Sequence, residues 1–223
     1  MTARPVSPYL APGFYEQALA LGRHRDIVGG RWEETGRLQL ALLRDEGLLP
    51  HHRLLDIGAG SLRLGCKAVP YLDPGHYWAT DASLPLMKRG HETELADRSR
   101  LPLSQLVEDA DFAFPNIPDT IDVAIAWGVF THLPADNLDR ALMSLRDHFP
   151  RLQKFLFTVF LAADGLADAL VAQPDGVVTH PDRPPYHVLA QDVHYRCSRA
   201  GYAALARDDR LPRGQRLWVA RAL

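Results

Sequence analysis

Hydrophobic positions divide the chain into stretches of different period. Up to about residue 50, apolar side chains recur at helical spacing in two groups, Phe14, Ala18 and Leu21, then Leu38, Leu40, Leu42 and Leu43, behind a proline-containing arm. The pair Gly29-Gly30 predicts a break between the two helices. From His52 onward short apolar runs alternate with amphipathic segments. Strands are expected over Arg53–Ile57, His76–Thr80, Gln105–Glu108, Ile121–Trp127 and Gln153–Leu161, with helices over Leu62–Tyr71, Leu84–Asp97, Pro134–His148 and Asp164–Ala172. Asp81, Ser83 and Thr131 are available as helix caps. This alternation predicts βα units and a parallel sheet covered on both faces. Gln173–Tyr186 holds four prolines and the turn pair Asp175-Gly176, so a long loop is expected there. A helix over Ala190–Arg199, capped by Gly201, leads to strands over Tyr202–Arg207 and Gln215–Ala222. Their short link permits only an antiparallel hairpin. Residues 1–50 thus form a helical arm or cap, and residues 51–223 a sheet domain with a cap loop around 173–188.

Composition narrows the class. The 223 residues are 47% hydrophobic and 23% charged, which excludes disordered, collagenous and disulfide-dense proteins. A net charge of −2 offers no field for a polyanion, so neither nucleic acid nor an anionic membrane is an expected partner. The apolar runs are too short to span a bilayer, and the first residues lack a signal pattern. Cys66 and Cys197 match no paired spacing; free thiols and a cytoplasmic location are expected.

The strongest chemical signal is Leu54–Gly65, an apolar strand running into Gly58-Ala59-Gly60-Ser61-Leu62-Arg63-Leu64-Gly65. Glycine turns of this kind bring backbone close to a ligand, and two ligands use them: dinucleotides through G-x-G-x-x-G, and S-adenosylmethionine through D/E-x-G-x-G. Arg63 stands where the third dinucleotide glycine would be, and Asp56 precedes Gly58, so the second form fits better. Asp81 ends the next strand at the ~20-residue spacing of a ribose-binding acid. After the third strand, Asp109 or Asp111 is available for an adenine amino group, with Phe112 as a stacking wall. The plain alternatives are a tight strand–helix turn that binds nothing and, for Asp81, a helix cap.

On these residues the chain resembles the class I S-adenosylmethionine-dependent methyltransferases. It is most similar to a bacterial group with G-x-G-S-L-R-x-G, a Y-L-x-x-G-x-Y segment before the second strand (Tyr71–Tyr77), and V-F-T-H-L after the fourth (Val129–Leu133). Gly22–His24 and Val28–Trp32 resemble that group's G-R-H-x-x-V-G-G-x-W arm, and Pro185–His187 and Gly214–Arg216 also resemble it. The resemblance implies an α/β, Rossmann-like sheet of seven strands, mostly parallel, with an antiparallel terminal hairpin and an N-terminal helical cap. It implies S-adenosylmethionine as cofactor and S-adenosylhomocysteine as product. Asp56, Gly58 and Gly60 would line the methionine part, Asp81 would hold the ribose, and Phe130 and His132 would flank the sulfonium side, with Ala59, Arg63, Ala82 and Trp127 as further cofactor contacts. Arg23, His24 and Trp32 would fold over the cofactor, Arg23 offering a partner for its carboxylate.

The expected function is methyl transfer to an oxygen or nitrogen of a small molecule, such as a natural-product intermediate. His132 and His187 are the candidate bases, each with a structural role as the competing reading. His180, Asp182, His187, Asp192 and His194 form no recognised ligand pattern, so no metal is expected. Two other classes remain in view: an NAD(P)-dependent oxidoreductase, and a module that binds S-adenosylmethionine without turnover.

Overall fold

A computed structural model describes Ser7, Tyr9, Ala11 and residues 13–223; most of the proline-containing arm lies outside the described residues. Helices α1 (Phe14–Ala20) and α2 (Trp32–Asp45) come first, parted where Gly29, Gly30 and Arg31 adopt positive φ. Then follow β1 (Leu54–Ile57), α3 (Gly65–Tyr71), β2 (Tyr77–Asp81), α4 (Leu84–Glu94), β3 (Leu106–Glu108), β4 (Val123–Ala126), α5 (Asp136–His148) and β5 (Lys154–Ala162). The chain continues through β6 (Val171–Ala172), β7 (Val178–Thr179), β8 (His187–Leu189), α6 (Ala190–Arg199), β9 (Tyr202–Ala206) and β10 (Arg216–Ala222).

The main sheet runs β3-β2-β1-β4-β5-β10-β9, parallel through β5 and antiparallel in β10 and β9. Period-two alternation along the strands supplies both faces. Leu55, Ile57, Ala124 and Ala126 pack in a core with Leu142 and Leu145 of α5 and Val193 and Cys197 of α6. Leu54, Val123 and Ile125 face a second core with Leu42 and Leu43 of α2, Ala68 of α3 and Met87 of α4. Ser83 caps α4, its hydroxyl accepting from the Leu86 amide, and Gly201 (φ 80°) stands just past Ala200, the C-cap of α6. Thr131 caps no helix; its hydroxyl donates to the Gly128 carbonyl.

Other expectations fail. No helix forms over Asp164–Ala172: turns lead into the β6-β7 ribbon. Leu166 and Leu170 of that segment are exposed, so it has no apolar face to bury, and so short a helix is marginal without packing. Within the expected cap loop, β8 joins the sheet, pairing in parallel with Phe160–Ala162 at the end of β5. The helix expected from Leu62 starts at Gly65, because Leu62 takes φ 63°. Among the described residues no helix is long and apolar enough to cross a membrane.

Candidate active site

Between β1 and β4 the chain reverses direction across the sheet, and their carboxyl ends open a crevice. A single cleft of about 1360 Å³, its open mouth included, occupies that place. It is lined by the turn after β1, by Asp81 and Ala82, by Asp109 and Phe112, by Trp127–Val129 and His132, and by parts of the arm, α2 and the terminal hairpin.

The turn is shaped for close approach. Gly58 (φ 70°) and Gly60 (φ 57°) lie in the left-handed region. A Cβ on Gly58 would stand 2.5 Å from Val129 Cγ2, and one on Gly60 would strike Val28 Cγ1. Gly65 closes the motif for a different reason: a Cβ there would meet the Tyr77 hydroxyl at 3.0 Å. That hydroxyl donates to Asp56 Oδ2 at 2.5 Å, and burial raises the Asp56 carboxyl to about 7. Asp81 Oδ2 accepts from the Gly60 amide at 2.9 Å and Oδ1 from the Ser83 amide at 3.0 Å. Burial outweighs those donors and lifts Asp81 to about 6.

Ser61 and Arg63 give the rest of the motif its meaning. Ser61 Oγ donates to the His24 carbonyl at 2.7 Å, and Arg63 Nη1 donates to the Val28 and Gly30 carbonyls at 2.5 and 3.3 Å. The arm is thereby tied down over the glycine turn. Burial lowers the Arg63 guanidinium to about 10, and its Nε is buried without a partner. Gly36 of α2 packs against Arg63, and Gln39, on the same face, lines the cleft with a buried, unpartnered Oε1. A donor and an acceptor therefore stand unsatisfied beside the turn, an arrangement that calls for a ligand. An amino acid's carboxylate and ammonium would satisfy both.

Of the candidate residues, Asp56, Gly58, Ala59, Gly60, Arg63, Asp81, Ala82, Asp109, Phe112, Trp127 and His132 line the cleft. Asp109 Oδ1 accepts the Asp111 and Ala113 amides, and Oδ2 the Phe114 amide at 2.8 Å. These bonds fix the turn that presents Phe112.

Other candidates do not line the cleft. Asp111 is exposed and pairs with Arg140 at 3.4 Å. Phe130 is buried in the core behind Phe112, their rings stacked 5.9 Å apart. Arg23 pairs with Asp26 at 2.9 Å. His24 Nε2 lies 2.7 Å from Glu94, which also takes a two-pronged bond from Arg25, and Arg25 stacks over Trp32 at 5.2 Å. Burial would raise the Glu94 carboxyl, but Arg25 and His24 outweigh it and hold it low. Glu94 of α4 thus draws this part of the arm to itself, and Trp32 does not reach the cleft. His187 lies outside the cleft lining: Nε2 meets the Ala167 carbonyl at 3.1 Å and Nδ1 the Thr179 hydroxyl at 2.9 Å, so both nitrogens bind β8 to the cap.

Sequence reasoning missed several lining residues. Tyr9 and Tyr15 come from the arm, Thr35 and Gln39 from α2, and Arg213 and Gln215 from the hairpin. Gln215 lies in a segment already noted for its resemblance; the others carried no local signal. Tyr9 stands edge-on to His132, ring centres 4.8 Å apart. Burial, reinforced by the nearby Arg213, pushes His132 down to about 4, and its Nδ1 is buried without a partner. Burial also raises both tyrosine hydroxyls, which stay neutral. Among the described residues no group of three or more His, Cys, Asp or Glu is placed to hold a metal ion.

Residues 55–149 match the family model described as a methyltransferase domain. Magnesium protoporphyrin IX methyltransferase from Synechocystis PCC 6803, solved with bound SAH, superposes with a TM-score of 0.64 at 16% identity, over 94% of this chain and 96% of that one. The 1,6-didemethyltoxoflavin-N1-methyltransferase of Burkholderia thailandensis gives 0.62 at 18% identity, over 97% and 92%. The glycopeptide N-methyltransferase MtfA, complexed with SAH, gives 0.58 at 15% identity, over 83% and 86%. Fold and matching domain define the class of likeness: residues 55–149 carry a methyltransferase domain, and the chain shares the fold of the S-adenosylmethionine-dependent methyltransferases it superposes on.

Proposed function

We propose that the protein transfers the methyl group of S-adenosylmethionine to an oxygen or nitrogen of a small molecule, with residues 1–50 acting as an arm over the cofactor. The observation that carries this reading is the unsatisfied pair beside the glycine turn, Arg63 Nε and Gln39 Oε1, together with the Asp81 carboxylate. Arg63 would take the methionine carboxylate and Gln39 its ammonium. Asp81 accepts the ribose hydroxyls, and Phe112 with Asp109 borders the adenine.

When bound, the cofactor supplies a methyl on a sulfonium that is already a good leaving group. What the chain must add is alignment and exclusion of water. Val28, Tyr9 and Tyr15 cover the cleft from the arm side, and Val129 from the β4 side. His132 Nδ1 accepts the hydrogen of the acceptor's hydroxyl or N–H. A ring held near 4 is neutral at pH 7 and a weak base, which suits an acceptor that is itself acidic. The free thiols of Cys66 and Cys197 accord with a cytoplasmic location.

Incubation with methyl-labelled cofactor and a bacterial metabolite extract tests this reading. Label should appear in a small-molecule product with wild type, with a much lower yield from Asp81→Ala. Tight binding of S-adenosylhomocysteine with no labelled product would favour a binding module instead.

A further inference from the structure

The distribution of charge in the cleft says which acceptor it suits. The lining carboxylates are Asp56, Asp81 and Asp109, and each is already committed. Asp56 is held by Tyr77, Asp81 by the Gly60 and Ser83 amides, and Asp109 by three amides of its own turn. All three stand at the carboxyl ends of β1, β2 and β3, where the cofactor would lie. The other end, bounded by His132, Leu133 and the hairpin, has no carboxylate among its described lining residues.

Its fixed charge is positive. Arg213 sits at the tip of the β9-β10 hairpin with φ 65°, a left-handed conformation uncommon for a residue with a side chain. Its backbone amide donates to Asp175 Oδ2 at 2.7 Å, and Nη2 donates to the Gly29 carbonyl at 2.9 Å. The cap, the arm and the hairpin therefore meet at this residue. A guanidinium has five N–H donors, and Gly29 takes one. His132 beside it is a neutral ring, and Tyr9 and Tyr15 are neutral hydroxyls.

We infer that the acceptor is a small organic acid, bound as its anion by Arg213, and that Arg213 sets this preference against amines. The inference rests on the methyl-transfer reading above. A protonated amine at this end would face the guanidinium with no carboxylate in the described cleft wall to offset it; the nearby Asp175 lies outside that wall and is held by the Arg213 backbone amide. An anion gains a charge-assisted, two-pronged bond and stands near the cofactor's positive sulfonium.

The test divides a metabolite extract by ion exchange at pH 8 into anionic, neutral and cationic fractions and supplies methyl-labelled cofactor to each. Wild type should label a product from the anionic fraction. For that acceptor, once purified, Arg213→Gln should raise KM about tenfold or more, as loss of a charge-assisted bond implies. Its kcat should change much less, and Arg213→Lys should restore most of the loss. Affinity for S-adenosylhomocysteine should be unchanged in both variants, showing that the fold and cofactor end are intact. The acceptor's amide should be a poor substrate for wild type, with the preference for the acid reduced about tenfold in Arg213→Gln. Label only in products of the neutral or cationic fractions would overturn the inference. So would an Arg213→Gln enzyme with wild-type KM and wild-type acid preference. No labelled product from any fraction, with S-adenosylhomocysteine still bound, would remove the transferase reading and this inference with it.

Discussion

At the β1–β3 end of the cleft every carboxylate has named donors, Gly58, Gly60 and Gly65 each have a neighbour that crowds out a side chain, and the arm is hydrogen-bonded onto the turn. Beyond His132 the wall is assembled from three distant pieces of chain, and Arg213, an exposed residue, commits only one guanidinium N–H, to the Gly29 carbonyl. The first end is built around one fixed ligand. The second is assembled from loops that can vary without disturbing the sheet, which is where a fold shared by many enzymes acquires its particular substrate. The two ends should therefore answer differently to mutation.

The largest effect is expected at Asp81. Asp81→Ala removes the acceptor for two ribose hydroxyls, and calorimetry should show at least a ~100-fold weaker complex with S-adenosylhomocysteine. Next comes Gly60→Ala, which forces a Cβ into Val28 in a left-handed conformation. Destabilisation of about 1–3 kcal/mol is expected in thermal or urea unfolding, together with loosening of the arm. Gln39→Leu deletes one acceptor for the ammonium and should weaken cofactor binding about tenfold, with the melting temperature nearly unchanged. The smallest effect on the cofactor end should come from His187→Phe. It breaks the bonds to Thr179 and Ala167 and should destabilise the cap by roughly 1–3 kcal/mol, while affinity for S-adenosylhomocysteine stays within about twofold. A large loss of cofactor affinity in His187→Phe would erase the distinction between the two ends.

Legibility in the sequence divides along the same line. β1, the glycine turn, Asp81 and the terminal hairpin follow from local pattern, because strand period, turn glycines and a carboxylate at a strand end are decided within a few residues. Arg63 was readable as an obstacle to a dinucleotide. Its bonds to Val28 and Gly30, which span more than thirty residues, were not. The resemblance implies that Arg23, His24 and Trp32 fold over the cofactor; a carboxylate on another helix, Glu94, holds His24 and Arg25, a long-range contact that no local pattern shows. Asp164–Ala172 has helix-forming residues but no buried face, a property of the tertiary structure that composition does not show. Tyr9, Gln39 and Arg213 come from three separate segments and meet only in the folded cleft.

The central claim, that the carboxyl ends of β1 and β2 hold S-adenosylmethionine with Asp81 ionised on its ribose, can be tested in one titration series. Burial raises Asp81 to about 6, so below that pH the carboxyl is protonated before binding and a proton must leave when the ribose docks. Affinity for S-adenosylhomocysteine, measured calorimetrically from pH 5 to 8, should rise through about 6 and then level, with proton release on the acid side. A nanomolar-to-micromolar complex that follows this profile and is lost in Asp81→Ala is the predicted result. Absence of binding by wild type at pH 8, or binding of NADH in its place, would contradict the account.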